Sequence, residues 1–403
     1  MRSNLLVYTE NYQRGGGNKY SISAINSLAT VTNEILFVVN RFGIFPEEEK
    51  QLKSNVIVKK VIMFSSSGLY NYQNNFQYQV IIFKFLFRLL SLILSPVFLS
   101  YQILFFLIML LRTRPKQVII FNGGYPGAGS CQILAIVARL FTRNISMSIV
   151  SMPVGYKRTT KFFAYLLDVL VWKACKFIVT NCESSSNALI IQRALPASKE
   201  KRVLYNGIDD IAEPSVKKLK TQRQTEIIIG YVGRIESSKG IMLIIEAFKK
   251  ICHEQPNVKL HIYGDGPEMY LLSENIKIYG LENIVKVFGH HNGEIAKIFD
   301  HMDIYVLPSY REGLSYSLLE AMRAGVAIIA TNVGGATEAI ENMKSGIIVP
   351  MGSVNSLSDG LSLLILNEGL RASLGSEARK VFSHNFKSDN FKSNSIKVFR
   401  PTY

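Results

Sequence analysis

The sequence predicts an α/β protein made of two doubly wound domains, and three observations predict it. Short apolar segments alternate with longer stretches of helical period along most of the chain. The alternation is interrupted once, by a polar and basic stretch at 214–224, and then resumes. The length of 403 residues is enough for two or three domains with separate hydrophobic cores. Such alternation is typical of a parallel sheet covered by helices on both faces.

The first domain is predicted to cover residues 1–207. Its predicted strands are Leu5–Tyr8, Ile35–Val39, Val56–Ile62, Val118–Phe121, Ile145–Val150, Phe177–Thr180 and Val203–Tyr205. Helical patterns between them are Asn18–Ala29, Gln79–Leu111, Gly129–Phe141, Thr160–Lys173 and Ser184–Arg193.

The second domain is predicted to cover residues 208–380. Its predicted strands are Ile227–Val232, Val258–Tyr263, Val285–Phe288, Ile304–Val306, Ala327–Ala330 and Gly346–Val349. Its predicted helices are Met242–Cys252, Glu268–Ile278, Glu294–Phe299 and Leu314–Arg323. Residues 381–403 are expected to form a helical tail that packs back on the first domain. In Rossmann-like sheets ligands bind beyond the carboxyl ends of the strands, so two such domains facing each other would enclose a cleft.

Positive charge is concentrated in the first half of the chain. The net charge is +16, and residues 1–206 contain 24 Lys and Arg against 8 Asp and Glu. The second half is neutral, with 22 of each. This asymmetry indicates an anionic membrane surface or nucleic acid as a partner. The basic residues form no nucleic-acid-binding module with exposed aromatic residues, so no nucleic acid partner is expected.

An uncharged apolar segment, Leu89–Leu111, favours the membrane. It is flanked by Arg88 on one side and by Arg112 and Lys116 on the other, and Pro96 interrupts it. Three alternatives are open: a membrane span, buried core helices, or a helical pair that dips into the membrane interface with its basic residues at the headgroups. The third is favoured, because a span would separate the strands on its two sides.

The cysteines and the N-terminus indicate a cytoplasmic protein. The four cysteines have no CxxC spacing, which favours reduced, buried thiols over a metal site or disulfides. The apolar run near the N-terminus is too short for a secretory signal and instead predicts a strand. The expected location is therefore the cytoplasm, peripheral on the inner face of the membrane.

Four loops of the second domain follow predicted strands and carry the candidate chemistry. In "GYVGRIESSKG", Gly233 allows close backbone approach, and Arg234 and Lys239 precede a helix in a manner that suits a diphosphate, although a solvated basic turn is the alternative. In "YGDGP", Gly264 and Asp265 predict a strand-to-helix turn that could cap the helix.

The third and fourth loops are "FGHHNGE" and "YREGLSYSLLEAMRAG". Adjacent histidines point in different directions, so His290 and His291 predict a loop that contacts a base, or a surface turn, rather than a metal site. Glu312 and Gly313 precede a helix whose first N–H groups, expected at Leu314, Ser315 and Tyr316, could donate to an anion. Glu320 lies two turns further on among apolar residues, where a carboxylate needs polar partners. The vicinal hydroxyls of a ribose would be suitable partners. A salt bridge or an exposed helix position is the alternative.

Together these motifs resemble the donor half of the retaining glycosyltransferases of family 4, which have the GT-B architecture. The matching stretches are VGR…KG, GDGP, DIYVLPSYREGLSYSLLEAMRAG, VGGATE and SGIIVP, between 230 and 350. The resemblance implies that Glu320 holds the ribose, that Glu312 contacts the donor hexose, and that Arg234 and Lys239 stabilise the leaving diphosphate. It also implies catalysis that requires no metal and no cofactor besides the nucleotide sugar.

The first half resembles the same family less closely. In "RGGGNKYSISAINSLA", Gly16 and Gly17 match the glycine-rich loop after the first strand, where backbone approaches the donor phosphate and the acceptor. Many family members carry a histidine in the acceptor domain, but here all six histidines lie in the second half. Asn122 and Tyr125 occupy that neighbourhood, so a sugar contact assigned to the histidine does not transfer to this chain.

The predicted function is a retaining, metal-independent hexosyltransferase of surface polysaccharide synthesis, such as lipopolysaccharide or capsule. It would use a UDP- or GDP-sugar donor and a saccharide or lipid-linked saccharide acceptor at an anionic membrane surface. A nucleotide-sugar epimerase of the same architecture and a non-catalytic membrane-docking partner are the alternatives. The epimerase needs acid and base side chains around the sugar, and the non-catalytic partner does not need the set of Glu312, Glu320, Arg234 and Lys239.

Overall fold

The computed structural model describes residues 4–10, 15–40, 46–63, 81–210, 226–290 and 295–400. Two compact units are present, one of Met1–Leu204 with Lys392–Tyr403 and one of Tyr205–Phe391. Each unit has its own parallel sheet and its own apolar core, as the alternation of strands and helices predicts.

The sheet of the first unit has the strand order β3-β2-β1-β4-β5-β6-β7 in the described residues, and all its pairings are parallel. The strands are β1 Leu5–Thr9, β2 Ile35–Asn40, β3 Val56–Val61, β4 Gln117–Asn122, β5 Ile145–Ile149, β6 Phe177–Thr180 and β7 Lys201–Val203. The order reverses between β1 and β4, and in doubly wound sheets ligands bind at the carboxyl ends of the strands at this point.

The helices of the first unit are α1 Gly16–Leu28, α2 Pro46–Glu49, α3 Ile81–Thr113, α4 Gly129–Ala138, α5 Lys161–Ala174 and α6 Glu183–Arg193, and the last helix of the chain, α14 Ser388–Phe399, ends in this unit. The four cysteines are free and buried, as the spacing predicts.

The sheet of the second unit has the order β10-β9-β8-β11-β12-β13 in the described residues, again with parallel pairings. Its strands are β8 Ile227–Val232, β9 Val258–Tyr263, β10 Val285–Val287, β11 Ile304–Leu307, β12 Ala327–Thr331 and β13 Ile347–Val349. Its helices are α7 Ile241–Ile251, α8 Met269–Ile278, α9 Ile295–Phe299, α10 Tyr316–Ala324, α11 Ala336–Ala339, α12 Val354–Leu366 and α13 Glu368–Asn385. The order reverses between β8 and β11.

The ranges of the two units differ from the predicted domains. The first unit ends at Leu204 rather than at residue 207, and the chain returns to it at Lys392 rather than at residue 381. Helix α13 continues past 381 because Phe382 and Phe386 are buried in the second unit. Phe399, by contrast, packs edge-on against Phe121 of β4, with ring centres 5.8 Å apart. The positions of the buried phenylalanines therefore decide where the chain leaves the second unit and returns to the first.

The apolar segment forms one helix, α3, and the predicted helical pair is wrong. Pro96 lies inside the helix and does not divide it. Residues Ile93–Thr113 are long and apolar enough to cross a membrane by length and composition, and 22% of the most apolar window is buried. A core helix of a soluble protein passes the same test. Because β3 and β4, the strands before and after α3, belong to one sheet, a single crossing would separate strands of that sheet.

Helix α3 buries one side and exposes apolar residues on the other. Phe106, Met109 and Leu110 are buried in the core of the first unit, whereas Val97 and Leu104 are exposed. The alternative of wholly buried core helices is therefore wrong for residues 93–111, whose burial the structure describes. The Tyr101 hydroxyl donates a 2.7 Å hydrogen bond to the carbonyl of Ile62, which follows β3. At 1.5 Å per residue, about 30 Å of α3 precedes this point and extends past the carboxyl end of β3.

Candidate active site

The loop after β8 carries Arg234 and Lys239, the two cations predicted to hold a diphosphate. The Arg234 guanidinium lies 3.0 Å from the Glu236 carboxylate and is half exposed. The backbone oxygen of Arg234 accepts a 2.7 Å hydrogen bond from the hydroxyl of Tyr231, a buried residue of β8. Lys239 ends a short 3-10 turn, Ser237–Lys239. The backbone of the loop is thus anchored to its own strand, while the arginine side chain remains accessible.

Glycines at the strand ends hold the first three loops side by side. A Cβ atom on Gly264, where φ is +154°, would lie 1.8 Å from the carbonyl oxygen of Gly233. The N–H of Gly264 donates to the Gly289 carbonyl at 2.8 Å, and the N–H of Ile235 donates to the Asp265 carbonyl at 2.9 Å. Only glycine permits this approach of backbone to backbone. The GDGP turn therefore lies between the loops that carry Arg234 and His290.

Lys239 and Glu312 are 73 residues apart in sequence and form an ion pair in the fold. The Lys239 Nζ lies 2.6 Å from Glu312 Oε2, and the two side chains are 20% and 16% exposed. The hydroxyl of Ser309 donates to the same carboxylate oxygen at 3.3 Å. A partly buried pair is screened less by solvent than a surface pair. Lys239, predicted to bind the diphosphate, and Glu312, predicted to contact the hexose, are therefore held together at the carboxyl ends of β8 and β11.

The Glu312-Gly313 turn is held in place by the glycines of the VGGATE motif. Gly334 has φ +51°, and a Cβ atom there would lie 1.7 Å from the Glu312 carbonyl oxygen. The N–H of Gly335 donates to the Gly313 carbonyl at 2.9 Å. The loop after β12 thus packs against the backbone of Glu312, the residue predicted to contact the hexose.

Helix α10 begins at Tyr316, two residues later than predicted. Ser315 is its N-cap and has an extended backbone conformation. Leu314 therefore precedes the helix, and its backbone oxygen accepts a 2.6 Å hydrogen bond from the side-chain amide of the buried Asn206. The expectation that Leu314 and Ser315 supply the first helical N–H groups is corrected: those groups belong to Tyr316 and the residues after it.

Glu320 lies on α10 and is buried, 6% exposed. It shares its surroundings with Tyr305, a fully buried residue of β11 whose hydroxyl forms a 2.7 Å hydrogen bond with the Ser317 hydroxyl. Burial is the main cause that raises the pKa of Tyr305; Ser317 opposes the shift, and the charges of Glu312 and Glu320 add to it. Both predicted carboxylates therefore act on one phenolic hydroxyl.

Tyr231 and Tyr305 support the site, and the sequence motifs did not single them out. Burial raises the pKa of Tyr231 well above its ordinary value, with smaller contributions from Tyr305 and Glu312. Both phenols therefore stay protonated and can donate hydrogen bonds. The sequence signal that could have indicated these two residues is a tyrosine inside an apolar strand that leads into one of the motifs.

Asp265 and His290 lie in this group of loops with less defined roles. The Asp265 carboxylate accepts a 2.7 Å hydrogen bond from the N–H of Gly266, and His290 is exposed. His291 lies outside the described residues. Among the described residues, no group of three or more His, Cys, Asp or Glu side chains could hold a metal ion.

In the first unit, the predicted glycines lie where the strand order reverses. Helix α1 begins at Gly16. A Cβ atom on Gly17 would be 3.4 Å from the Val150 side chain and 3.7 Å from the Cα of Gly123, in the segments after β5 and β4. The described part of the glycine-rich turn therefore adjoins the carboxyl ends of both strands.

Glu10 is a buried carboxylate directly after β1, which the sequence motifs did not indicate. Its Oε2 accepts hydrogen bonds from the N–H of Ser130 at 3.0 Å and from the Ser130 hydroxyl at 2.5 Å. The Tyr8 hydroxyl is 2.6 Å from the same hydroxyl. Glu10 therefore joins the end of β1 to the first turn of α4.

Tyr125, in the segment where family members carry a histidine, belongs to a buried polar network. Asp168 and Arg193 are 0% and 2% exposed and form two contacts of 2.9 Å. The hydroxyls of Tyr125 and Tyr156 donate to the two oxygens of Asp168 at 2.6 and 2.7 Å. Asn122 instead closes its own turn, since its amide donates to the Gly127 carbonyl at 2.9 Å. The network connects the loops after β4 and β5 to helices α5 and α6.

Comparisons with known proteins agree with this arrangement. The family described as "Glycosyl transferases group 1" matches residues 214–381. The capsular polysaccharide biosynthesis glycosyltransferase CapM of Staphylococcus aureus is 28% identical over 292 residues, 70% of this chain and 76% of CapM. The crystal structure of Anabaena HepE in complex with UDP has a TM-score of 0.73 and 18% identity, with full coverage of both chains. The chain is a glycosyltransferase of the GT-B architecture.

Another relative is matched over less of its length. The N-acetyl-alpha-D-glucosaminyl L-malate synthase of Bacillus anthracis is 28% identical over 201 residues, 49% of this chain and 52% of the relative. The glycosyltransferase thus spans about half the length of that protein. The structural likeness to HepE, at 18% identity, establishes the fold alone. The matched family and these relatives do not favour an epimerase.

Proposed function

We propose that this glycosyltransferase moves a hexose-type sugar from a nucleotide diphosphate sugar to a saccharide or lipid-linked saccharide acceptor in surface polysaccharide synthesis. We assign it to family 4 and to retention of the anomeric configuration. The observation that carries the proposal is the 2.6 Å pair of Lys239 and Glu312 at the carboxyl ends of β8 and β11. CapM is named for capsular polysaccharide biosynthesis, and the HepE crystal contains UDP; both support the proposal.

The donor would bind at the carboxyl edge of the second sheet. Arg234 and Lys239 offer a forked donor and a point charge to the diphosphate, and the start of α10 adds the positive end of a helix. Glu320, buried one to two turns into α10, would accept hydrogen bonds from the ribose hydroxyls. Glu312, held by Lys239 and Ser309, would contact the hexose. His290, at the neighbouring loop end, would lie against the base.

The proposed reaction places acceptor and leaving group on the same face of the sugar. The departing diphosphate oxygen takes the proton of the attacking acceptor hydroxyl, so the protein positions both substrates and neutralises the leaving group. Arg234 and Lys239 supply the positive charge for this step, and no metal ion is needed. Addition of EDTA is therefore expected to leave the rate unchanged.

The membrane part of the proposal is supported by the exposed apolar residues of the first unit. Phe162 and Phe163 of α5 are 70% and 75% exposed, and Val97 and Leu104 of α3 are exposed as well. Cations accompany both helices, in the sequence around 112–116 and 157–161. Helices with apolar faces and basic flanks lie in the plane of anionic membranes. A location on the inner face of the cell membrane would bring the enzyme to a lipid-linked acceptor.

The decisive experiment is a screen of UDP- and GDP-sugars for thermal stabilisation of the full chain. A donor in excess over its Kd stabilises the folded state by mass action. The stabilising donor is then incubated with saccharide acceptors, and the anomeric configuration of the product is read by NMR. Retention of configuration is expected, whereas inversion or an epimerised donor without transfer would overturn the mechanism. Donor binding without turnover would favour the non-catalytic alternative.

Glu320→Ala tests the assignment within the site. Loss of the ribose contact is expected to raise the KM for the donor and to remove most of the thermal stabilisation by the donor. Glu377→Ala, at a partly exposed position on α13, is the matched control. Wild-type kinetics in Glu320→Ala would remove its proposed role.

A further inference from the structure

A cavity opens at the amino ends of β4, β5 and β6 in the first unit, at the edge of the sheet opposite the glycine-rich turn. Its volume is about 440 Å³, within the range of small-molecule sites. Four cationic side chains line it: Lys176, Arg202, Lys397 and Arg400. This amino-edge cavity is separate from the candidate donor site, which belongs to the second unit.

The charge around the amino-edge cavity is almost entirely positive. A neighbouring cavity of about 340 Å³ shares Lys176 and is also lined by Arg139, Arg143, Lys173 and Lys199. Among the described residues that line the two cavities, none is Asp or Glu. Six cations of the first half and two from the end of the chain are therefore gathered at the amino edge of this sheet.

These cations are poorly neutralised within the described part of the chain. Lys397 and Arg400 have no side-chain ion pair or hydrogen bond there, whereas Arg202 pairs with Glu200 at 2.5 Å. Burial, and to a lesser extent the guanidinium of Arg139, lowers the pKa of Lys199. Bound anionic groups would relieve the mutual repulsion of the cations.

Some side chains in the walls of the cavity are held in place by packing or burial. The Arg202 guanidinium stacks on the Phe177 ring, 3.8 Å from its centre. Ser146 lines the cavity, is 1% exposed, and its hydroxyl has no hydrogen-bond partner among the described residues. A buried hydroxyl without a partner is uncommon, and an oxyanion would satisfy it.

The end of helix α14 forms one wall. Gln117 of β4 donates a 2.7 Å hydrogen bond to the backbone oxygen of Phe399, which fixes Lys397 and Arg400 beside the strand ends. A ligand in the cavity would contact α14 and the segments before β5 and β6 together. Binding would therefore hold α14 against the first sheet.

We propose that the amino-edge cavity binds the phosphate groups of a multiply charged ligand distinct from the sugar donor. Arg400 offers a forked donor for phosphate oxygens, and Lys176 and Lys397 offer point charges. The Arg202 guanidinium already bonds Glu200 and the Val398 carbonyl and adds its remaining N–H groups. The same chemistry would take the headgroup of an anionic phospholipid or a soluble compound with two or more phosphates.

The test is a titration of the full chain with inorganic pyrophosphate, in EDTA and 0.15 M salt, followed by hydrogen exchange of the peptides covering 139–147 and 388–399. Slower exchange of both peptides is expected. K397Q/R400Q removes two exposed cations and should raise the half-saturating concentration about tenfold. K239Q, in the second unit, should leave this response unchanged and so separates it from binding at the candidate donor site.

The matched control is K53Q/K59Q, which removes two exposed cations just before and within β3, the strand at the far side of the same sheet from β7. Equal weakening in this control, or no protection in wild type, would overturn the proposal. Vesicles of phosphatidylglycerol, compared with phosphatidylcholine, then identify the source of the phosphate. A loss of vesicle binding in K397Q/R400Q assigns the cavity to a lipid headgroup, and unchanged vesicle binding with weakened pyrophosphate binding assigns it to a soluble ligand.

Discussion

In each unit the loops at the carboxyl edge of the sheet are joined to one another, but the two units do this in different ways. In the second unit, glycines let one loop pack directly on the backbone of the next, as at Gly264 on Gly233 and Gly334 on Glu312. In the first unit, the loops after β4 and β5 are joined by side chains, through the network around Asp168 and Arg193. Backbone contacts of this kind demand one residue type at each position, whereas a side-chain network can be assembled in many ways.

This difference explains why one edge resembles a known family closely and the other does not. A position that only glycine can occupy leaves a fixed motif in the sequence. A buried network leaves only an aspartate, an arginine and two tyrosines, far apart in the chain. The comparison is tested by four variants, ordered by expected effect.

Asp168→Asn is expected to have the largest effect. It leaves the Arg193 charge buried without its counterion, which should lower the free energy of unfolding of the first unit by about 3–5 kcal/mol. Urea unfolding monitored by the fluorescence of Trp172, which lies against Tyr125, measures it. Glu377→Gln, which breaks a pair between a partly exposed Glu377 and the exposed Lys380, should change the free energy of unfolding by less than about 1 kcal/mol. Similar small changes in both variants would mean that the network does not hold the first unit together.

Lys239→Ala is expected to act on catalysis and not on folding. Loss of a preorganised cation should reduce kcat/KM by about 30- to 1,000-fold, or about 2–4 kcal/mol. Steady-state kinetics with the donor found in the screen gives the value. Lys277→Ala removes an exposed cation from the end of α8 and should leave kcat/KM unchanged. A Lys239→Ala enzyme with more than half of wild-type kcat/KM would exclude this lysine from leaving-group stabilisation.

Gly334→Ala tests the backbone contact behind Glu312. The new Cβ must displace the Glu312 carbonyl and adopt a positive φ, which should cost about 1–3 kcal/mol in stability and reduce donor affinity. Gly280→Ala is the control, because its φ is also positive, +64°, but nothing lies within 4 Å of the new atom. Thermal unfolding with and without the donor separates the two costs. Equal losses in both variants would show that the close contact contributes nothing beyond the strained φ.

F162S/F163S is expected to have the smallest effect on the enzyme itself and to act on membrane binding. Removing two exposed rings from α5 should weaken sedimentation with anionic liposomes about tenfold or more. I278S/L366S, at exposed apolar positions of the second unit, should sediment as wild type does. Replacing the basic residues near 112–116 and 157–161 should weaken binding further in low salt. Unchanged sedimentation of F162S/F163S would leave the apolar face of α5 without its proposed role.

Local patterns predicted most of the elements and the group of donor-site motifs. Alternation of apolar and polar residues predicted both parallel sheets, with boundaries shifted by one or two residues at most strands. The helix that carries Glu320 was placed two residues too early, because the extended conformation of Ser315 depends on the turn that packs on Gly334 and Gly335. Pro96 predicts an interruption of the helix, but the structure has one continuous helix, because a single proline is tolerated inside a helix as long as α3.

The sequence by itself determined the two-sheet architecture and the identity of the residues at the donor edge, because periodicity and close backbone contacts each restrict residue types locally. Only the tertiary structure decided which of those residues meet: the pair of Lys239 and Glu312, the phenols of Tyr231 and Tyr305 beneath them, and the buried network under Tyr125. It also gathered six cations of the first half, with Lys397 and Arg400, at the amino edge of the first sheet. The strand order decides which side chains distant in the sequence come into contact. Spacing along the sequence carries no record of that order.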